Sequence, residues 1–446
     1  MSEPDDETAY KSAGENAGAS PTVSARSVAA LAVLRVLRDG AFAAAALSAE
    51  LDRATNLQDR DRALATELLY GTLRLRTALE ARLAPLAPRG LKDLVVKAEL
   101  LVAAYQLLAL DRVPAFAAVN SAVNAVRAAR GPKVAGFANA VLRKLATGEK
   151  LVVKDAALDN VPAWLSEALT SAVGAAEAQA LIVPQSEKIV GLRLLAERPV
   201  PEWLAAASAG RASPRSRLIQ GEGDPRKREG FAEGVFVVQE EGAQAIALAL
   251  GARAGERVLD ACAGRGQKTS LFAEQVGAAG EVWATDVYPK KLEALQADFE
   301  RLRLPLPEVR SVDWTVGVGD VPADFDRVLV DAPCTGTGTL RRRPEIAARL
   351  QPTDPARLSA LAEAILRSAA TRAKPGGRVV FAVCSVLEDE CEALVARVLD
   401  ILEPAPFDCL DPNGVFATVS PEATSFRIGP THFATDGYFA ASFIKR

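Results

Sequence analysis

From Phe236 onward, short apolar runs alternate with helical stretches, and this alternation restricts the fold more than any other feature of the chain. "RVLDACAG", "EVWATDV", "VRSVDW", "DRVLVDAP" and "GRVVFAVCS" have the length of strands. Around them lie "KTSLFAEQVG", "KKLEALQADFERL" and "ARLSALAEAILRSAATRA", whose apolar residues recur at helical spacing. Strands separated by helices run parallel, because the crossover lays each helix on a face of the sheet. The pattern predicts a doubly wound α/β sheet with ligands at the carboxyl ends of its strands. The closing "GYFAASFIKR" reads as an added antiparallel strand.

The first part of the chain is different. Ser27 to Leu145 reads as helices throughout. "VAALAVLRVLRDG" stops at Gly40, and "LVVKAELLVAAYQLLAL" is apolar nearly all round, which predicts a central buried helix. Residues 21–150 hold 19 Lys and Arg against 11 Asp and Glu, although the whole chain carries −3. A basic helical module joined to an acidic enzyme-like one is one reading; arginines covering solvated helix faces is the other. Residues 1–24 are polar and acidic, without the apolar core of a secretory signal, and read as a disordered tail. Residues 150–235 mix a strand, "IVGLRLL", with the turn-rich "RASPRSRLIQGEGDPRKREG", and fit a small module or a linker equally well. A length of 446 residues suits this number of parts.

No apolar run approaches the ~18 residues needed to span a bilayer, so no membrane partner is expected. The five cysteines, Cys262, Cys334, Cys384, Cys391 and Cys409, are odd in number and widely spaced, which argues for reduced thiols in a cytoplasmic protein. There is no C-x-x-C pair and the one histidine is His432, so no metal site is expected.

"VLDACAGRGQKTSLFAEQ" runs from a strand through a turn of small residues into a helix. Such a turn brings backbone close to a ligand and offers helix-start amides. It is not a phosphate-binding P-loop, because Gln267 separates Gly266 from Lys268. A dinucleotide fingerprint lacks its third glycine, which leaves an NAD-linked enzyme as a weak alternative. A methyltransferase first motif fits better. Asp260 ends the first strand, Asp286 ends the second and suits a ribose diol, and Asp313 ends the third and suits an adenine amino group. Capping or turn formation is the plain alternative for each acid.

Two thiols follow adjacent strands. Asp331-Ala332-Pro333-Cys334 ends the fourth, and Val383-Cys384-Ser385 ends the fifth. Methylation of a pyrimidine at carbon 5 needs such a group, because that carbon is a poor nucleophile until a thiolate adds at carbon 6. A free thiol has a pKa of ~8.5, so the site must favour the thiolate. The base must also leave its stack. Cys391, Cys409 and the Cys262 side chain read as small core residues.

Together these motifs resemble a known family. "DRALATELLYGTLR", "VPAFAAVNSAVNAVR" and "GFANAVLRKL" look like the NusB-like helical domain. "FVVQEEGAQ", "DACAGRGQKT", "VDAPCTGTGTLRRRPEI", "VCSVLEDE" and "TDGYFAASF" resemble RNA cytosine-5 methyltransferases of the Nop2/Sun class, and with the helical part the RsmB/Sun family. The resemblance covers Ser27 to Arg446 and implies three folded parts. These are an all-α NusB-like RNA-binding domain over 25–149, a small α/β linker module over 150–235 and a Rossmann-like class I methyltransferase domain over 236–446. It implies S-adenosylmethionine as cofactor, small-subunit ribosomal RNA as partner and substrate, and a monomer.

Position by position, the resemblance makes Cys384 the nucleophile and Cys334 the thiol that assists release. It assigns the cofactor to Cys262, Ala263, Gly264, Arg265, Gly266, Gln267, Lys268, Asp286, Asp313 and Asp331, the last also adjoining the base. Arg26, Arg60, Arg62, Arg74, Arg76, Arg143 and Lys144 become candidates for RNA backbone contact, and Arg341, Arg342 and Arg343 for a phosphate clamp. The family's first motif usually reads Ala-Pro-Gly-Gly-Lys-Thr, where this chain has Gly264-Arg265-Gly266-Gln267-Lys268-Thr269. Lys291 stands where the family commonly has Arg. These departures put cofactor affinity in question and keep open a second reading, an RNA-binding protein whose α/β domain has lost catalysis.

Overall fold

The computed structural model describes residues 23–185, 189–221, 223–408 and 414–446. Most of the acidic N-terminal segment and Cys409 lie outside the described residues. The chain forms two compact units. The first takes in residues up to Pro162 together with Ile182–Pro184 and Arg342–Arg349; the second holds the rest.

The first unit is helical. Its main helices are α1 (Ala25–Asp39), α2 (Ala43–Arg53), α3 (Asp59–Arg74), α4 (Arg76–Leu83), α5 (Leu94–Ala109) and α6 (Ala115–Leu145). Ser24 caps α1 through a reciprocal pair with Ser27, and Gly40 ends it as expected. Asp93 caps α5 by accepting from the amides of Val95 and Val96. α5 is the central helix the sequence predicts, with 13 of its 16 residues buried. α6 breaks at Gly131, and Pro132 starts its second half, where a missing amide proton costs nothing. The segment Arg342–Arg349 completes this unit. Glu345 accepts from the otherwise uncapped amide of Ala43 at 3.3 Å, and the Arg349 guanidinium lies 4.2 Å from the Phe42 ring.

The second unit contains two sheets. The smaller is antiparallel, with β1 (Ile189–Leu194), β2 (Ser208–Ala209), β3 (Ser216–Gln220) and β4 (Phe236–Val238) in the order β2-β3-β1-β4. The larger has β5 (Arg257–Asp260), β6 (Glu281–Asp286), β7 (Glu308–Ser311), β8 (Phe325–Asp331), β9 (Ala373–Val383), β10 (Leu402–Pro404), β11 (Ser425–Ile428) and β12 (Tyr438–Lys445). Its order is β10-β12-β9-β8-β5-β6-β7, with β11 also paired to β12. β5 to β9 pair in parallel, and β12 is antiparallel to β9, as the C-terminal sequence predicts. Successive strand residues feed opposite cores. Val258, Leu329 and Val380 join one, while Leu259, Val328, Val330 and Phe381 join the other. Burial on both faces is why these strands read as unbroken apolar runs.

Arg193 of β1 is fully buried and joins the small sheet to the helix Thr269–Val276. It donates to Gln239 at 2.9 Å, to the Ser270 hydroxyl at 2.6 Å and to Glu274 at 3.4 Å. Arg215 also pairs with Glu274. Arg193→Ala strands Gln239 and Ser270 without their donor and empties a large volume. We expect it to cost about 3 kcal/mol in urea unfolding, measured on the full chain.

Candidate active site

β5 and β8 are adjacent parallel strands, and the chain crosses to opposite sides of the sheet after each. Such a switch point opens a crevice at the carboxyl ends of the strands. Here β5 ends at Asp260 and β8 at Asp331. A cavity of ≈ 170 Å³ lies at this point, lined by Asp260, Cys262, Ala263, Gly264, Arg265, Gln267, Lys268 and Asp331. Seven of these are residues the resemblance assigned to the cofactor. Asp260, a strand-end acid given no ligand role, is the eighth.

The loop between β5 and its helix is held from several sides. The Ala263 amide donates to Thr285 O at 2.8 Å, and the Gly266 amide to Ala263 O at 2.9 Å. Gly266 has φ +80°, and a Cβ there would lie 2.5 Å from Leu295 Cγ, so the position admits no side chain. Lys268 reaches across the crevice to Asp331 Oδ2 at 2.6 Å. Burial alone would lower the Lys268 pKa, but the charges of Asp331, Asp260 and Cys384 raise it overall. Lys268 therefore stays cationic.

Asp260 is 1% exposed. Its Oδ2 accepts from the Thr269 hydroxyl at 2.7 Å; Oδ1 has no well-formed hydrogen bond among the described residues, although the Cys262 amide favours the anion. Burial pushes this carboxyl up to about 7, and the Asp331 charge adds to the rise. A buried acceptor without a donor is costly, and a ligand carrying an ammonium group would relieve it. S-adenosylmethionine carries such a group, so the residues fit this cofactor.

Asp286 does not line the cavity but binds the loop that does. It accepts from the Gly264 amide at 3.1 Å and the Tyr288 amide at 2.9 Å, with Lys291 Nζ at 3.4 Å. Asp313 stands apart from the cavity. It is exposed, two residues beyond the end of β7, and bonded to the amide and hydroxyl of Thr315.

The two thiols come together as the sequence predicts. Cys334 Sγ and Cys384 Sγ are 3.5 Å apart, both half-buried. Their surroundings differ in sign. Cys384 faces the Lys268 ammonium, and each charge favours the other. Cys334 is pushed well above the ordinary thiol range, first by its hydrogen bond to Cys384, then by burial and by the charges of Cys384 and Glu390. Either sulfur can donate across this contact, and the opposed charges favour the proton on Cys334. Burial also pushes up Cys262 and Cys391.

Several residues in this site were not singled out from the sequence. Thr335, Thr337, Ser385 and Glu390 form a buried polar cluster beside the thiols. The only signal was an acid six residues after Cys384, in a segment with apolar neighbours. Arg341 requires a correction. It is 7% exposed and pairs with Asp436 at 3.0 Å, so it is no phosphate clamp, while Arg342 and Arg343 are exposed. Among the RNA candidates of the helical unit, Arg60, Arg143 and Lys144 are exposed. Arg26 donates to Gln106 at 2.7 Å, Arg62 to Leu51 O at 3.2 Å and Arg76 to Glu80 at 2.7 Å. Burial lowers the pKa of Arg74, which serves the interior of the helical unit.

The strand order, the antiparallel β12 and the loop after β5 define a class I methyltransferase domain, here preceded in the chain by a helical unit. Residues 247–444 match the family described as 16S rRNA methyltransferase RsmB/F, and residues 23–147 match the NusB family. Ribosomal RNA small subunit methyltransferase B of Pasteurella multocida is 30% identical, over 95% of this chain and 96% of its own length. Its namesake from Thermus thermophilus is 35% identical, over 78% of this chain and 82% of its own. The solved structure of PH0851 gives a TM-score of 0.78 at 21% identity, covering 95% of this chain and 100% of that one. NSun6 from Pyrococcus horikoshii, solved with SFG, gives 0.55 at 16%, covering 65% and 99%. The chain belongs to the RsmB/F family of S-adenosylmethionine-dependent 16S ribosomal RNA methyltransferases.

The raised Asp260 carboxyl makes cofactor binding pH-dependent. A cationic ligand needs the ionised form, so protons compete with it below the group's pKa of about 7. Affinity for S-adenosylmethionine should fall by about tenfold for each pH unit below 7 and level off above. Asp260→Asn should bind weakly with no such slope. Titration calorimetry between pH 5.5 and 8.5 measures both.

Proposed function

We propose that the protein methylates carbon 5 of a cytosine in small-subunit ribosomal RNA, through a covalent bond between Cys384 and carbon 6 of the base. The observation that carries this reading is the sulfur pair at 3.5 Å with a cation on the Cys384 side and an anion on the Cys334 side. Cys262–Lys268, Asp331 and Asp260 would hold the cofactor, with Asp286 bracing the loop. Asp313 remains a candidate for the adenine end.

The cofactor, when bound, supplies an electrophilic methyl group. The chain's own residues make the acceptor reactive. The Cys384 thiolate gives its electron pair to carbon 6, and the carbon 5–carbon 6 π pair shifts to carbon 5, which becomes nucleophilic. Once carbon 5 is methylated, it gives its proton to a water molecule. The electrons of that bond re-form the double bond, and the sulfur–carbon bond breaks with its pair returning to Cys384. Cys334 keeps its proton throughout and donates a hydrogen bond to the departing sulfur. Lys268 stabilises the same thiolate at both ends of the cycle. Arg60, Arg143 and Lys144 offer salt-sensitive contacts to phosphates.

Cys384→Ala should lower methyl transfer to unmodified 16S RNA by on the order of 10⁴, read with labelled cofactor. Cys334→Ala should keep the attack and lose the release, so an RNA–protein adduct should persist on a denaturing gel. Retained activity in the first variant, or no adduct in the second, would remove the respective role. Absence of any cofactor binding by the wild type would favour a non-catalytic RNA-binding protein.

A further inference from the structure

Glu390 is 1% exposed and is the anion on the Cys334 side, but the steps above give it no part in making or breaking a bond. Its carboxylate collects three donors. Oε1 accepts from the Thr335 amide at 2.7 Å, and Oε2 accepts from the hydroxyls of Thr335 and Ser385, each at 2.5 Å. Thr335 follows Cys334, and Ser385 follows Cys384. One carboxylate therefore grips the neighbour of each thiol. The Ser385 proton points at Glu390, so the Thr337 hydroxyl, 3.0 Å away, donates to Ser385 and accepts from the Val386 amide at 3.2 Å. Burial raises the Glu390 pKa and these three donors oppose the rise, and a fully satisfied buried network of this kind specifies one geometry.

The two loops leave different strands, and their thiols are 50 residues apart in the chain. Among the described residues, the Gly338 amide also donates to Cys384 O at 3.0 Å, and the Thr337 bonds join the same two loops. Something must hold two sulfurs in contact while a base enters and leaves.

We propose that Glu390 is a positioning residue for the transfer reaction, binding the Cys334 and Cys384 loops to each other and thereby setting the contact between the two sulfurs. This rests on reading Cys384 as the nucleophile and Cys334 as the thiol that assists release. Its charge works in the same direction. An anion beside Cys334 opposes a second anion there, while Lys268 favours one at Cys384, so the proton stays on the releasing thiol.

The test uses the full chain with Glu390→Ala, Glu390→Gln and, as a destabilised control, Leu366→Ala in the core of the helix Asp354–Ala370. The first readout needs no substrate. Diamide takes one hydrogen from each thiol and becomes a hydrazine as the disulfide forms, and peptide mass spectrometry times the Cys334–Cys384 link. Glu390→Ala should slow this link at least about tenfold, Glu390→Gln should restore it to within about threefold, and Leu366→Ala should leave it unchanged. A wild-type rate in Glu390→Ala would overturn the proposal, as would equal slowing in Leu366→Ala. If Glu390→Ala does not fold, Glu390→Asp, one methylene too short to reach both loops, should be slow; a wild-type rate there would overturn it. The second readout is the RNA adduct, which should outlast the wild type's in Glu390→Ala. Wild-type protein that forms no 5-methylcytosine would defeat the reading of the site, while the link rate would still decide whether Glu390 sets the contact.

Discussion

The ion pair between Lys268 and Asp331 is the point from which the site is organised. It joins the loop after β5 to the end of β8 across the switch point of the sheet. Three acidic or acid-forming groups, Asp260, Asp331 and Cys384, share this single ammonium. Without it, two strand-end carboxylates and a thiolate would lie near one another with no cation between them, and each would suppress ionisation of the others. With it, the ammonium offsets the mutual repulsion of these groups, while burial still holds Asp260 up to about 7. One side chain thus serves both the cavity after β5 and the Cys384 thiol. A lysine is suited to this, because a compact point charge can face several anions from one position.

The division of labour between the thiols also follows from what surrounds them. Both sulfurs are half-buried, both end strands of one parallel sheet, and they are mutual neighbours. Nothing in their own chemistry separates one thiol from the other. The difference is imposed by Lys268 on one side and Glu390 on the other. Paired groups with opposed environments are how one site holds an acid and a base at the same pH.

Much of this was legible in the sequence, for a topological reason. In a parallel sheet the residue that ends an apolar run stands at the carboxyl edge. Asp260, Asp286, Asp331 and Cys384 could therefore be placed together without knowing a single contact. The helical unit was legible for a similar reason, since α5 is apolar on every face and has to be central. What the sequence did not reveal depends on partners distant in the chain. Arg341 looks like a phosphate-binding arginine until Asp436 is found beside it. Arg26 pairs with Gln106, and Glu390 becomes more than a surface acid only when Thr335 and Ser385 meet on it. Polar side chains carry no periodicity that tells a buried network from a solvated face.

The loop that departs from its family can be judged in the same terms. Of the usual Ala-Pro-Gly-Gly-Lys-Thr, this chain replaces the Pro with Arg265 and the second Gly with Gln267, and both side chains are exposed. Gln267 turns its amide to Val238 O at 2.8 Å and so ties the loop to β4. The glycine that is kept, Gly266, is the one whose Cβ would strike Leu295. Gly264, in place of the Ala, has φ +56° and open space around it, so backbone can approach a ligand there. Lys268 and Thr269 are retained, and they are the residues that hold Asp331 and Asp260. The substitutions therefore fall on residues that line the cavity, Gly264, Arg265 and Gln267, while Gly266, Lys268 and Thr269, bound by packing or by charge, are unchanged. The changes therefore alter what a ligand in the cavity would meet, while the bonds that hold the loop to Asp260 and Asp331 stay in place.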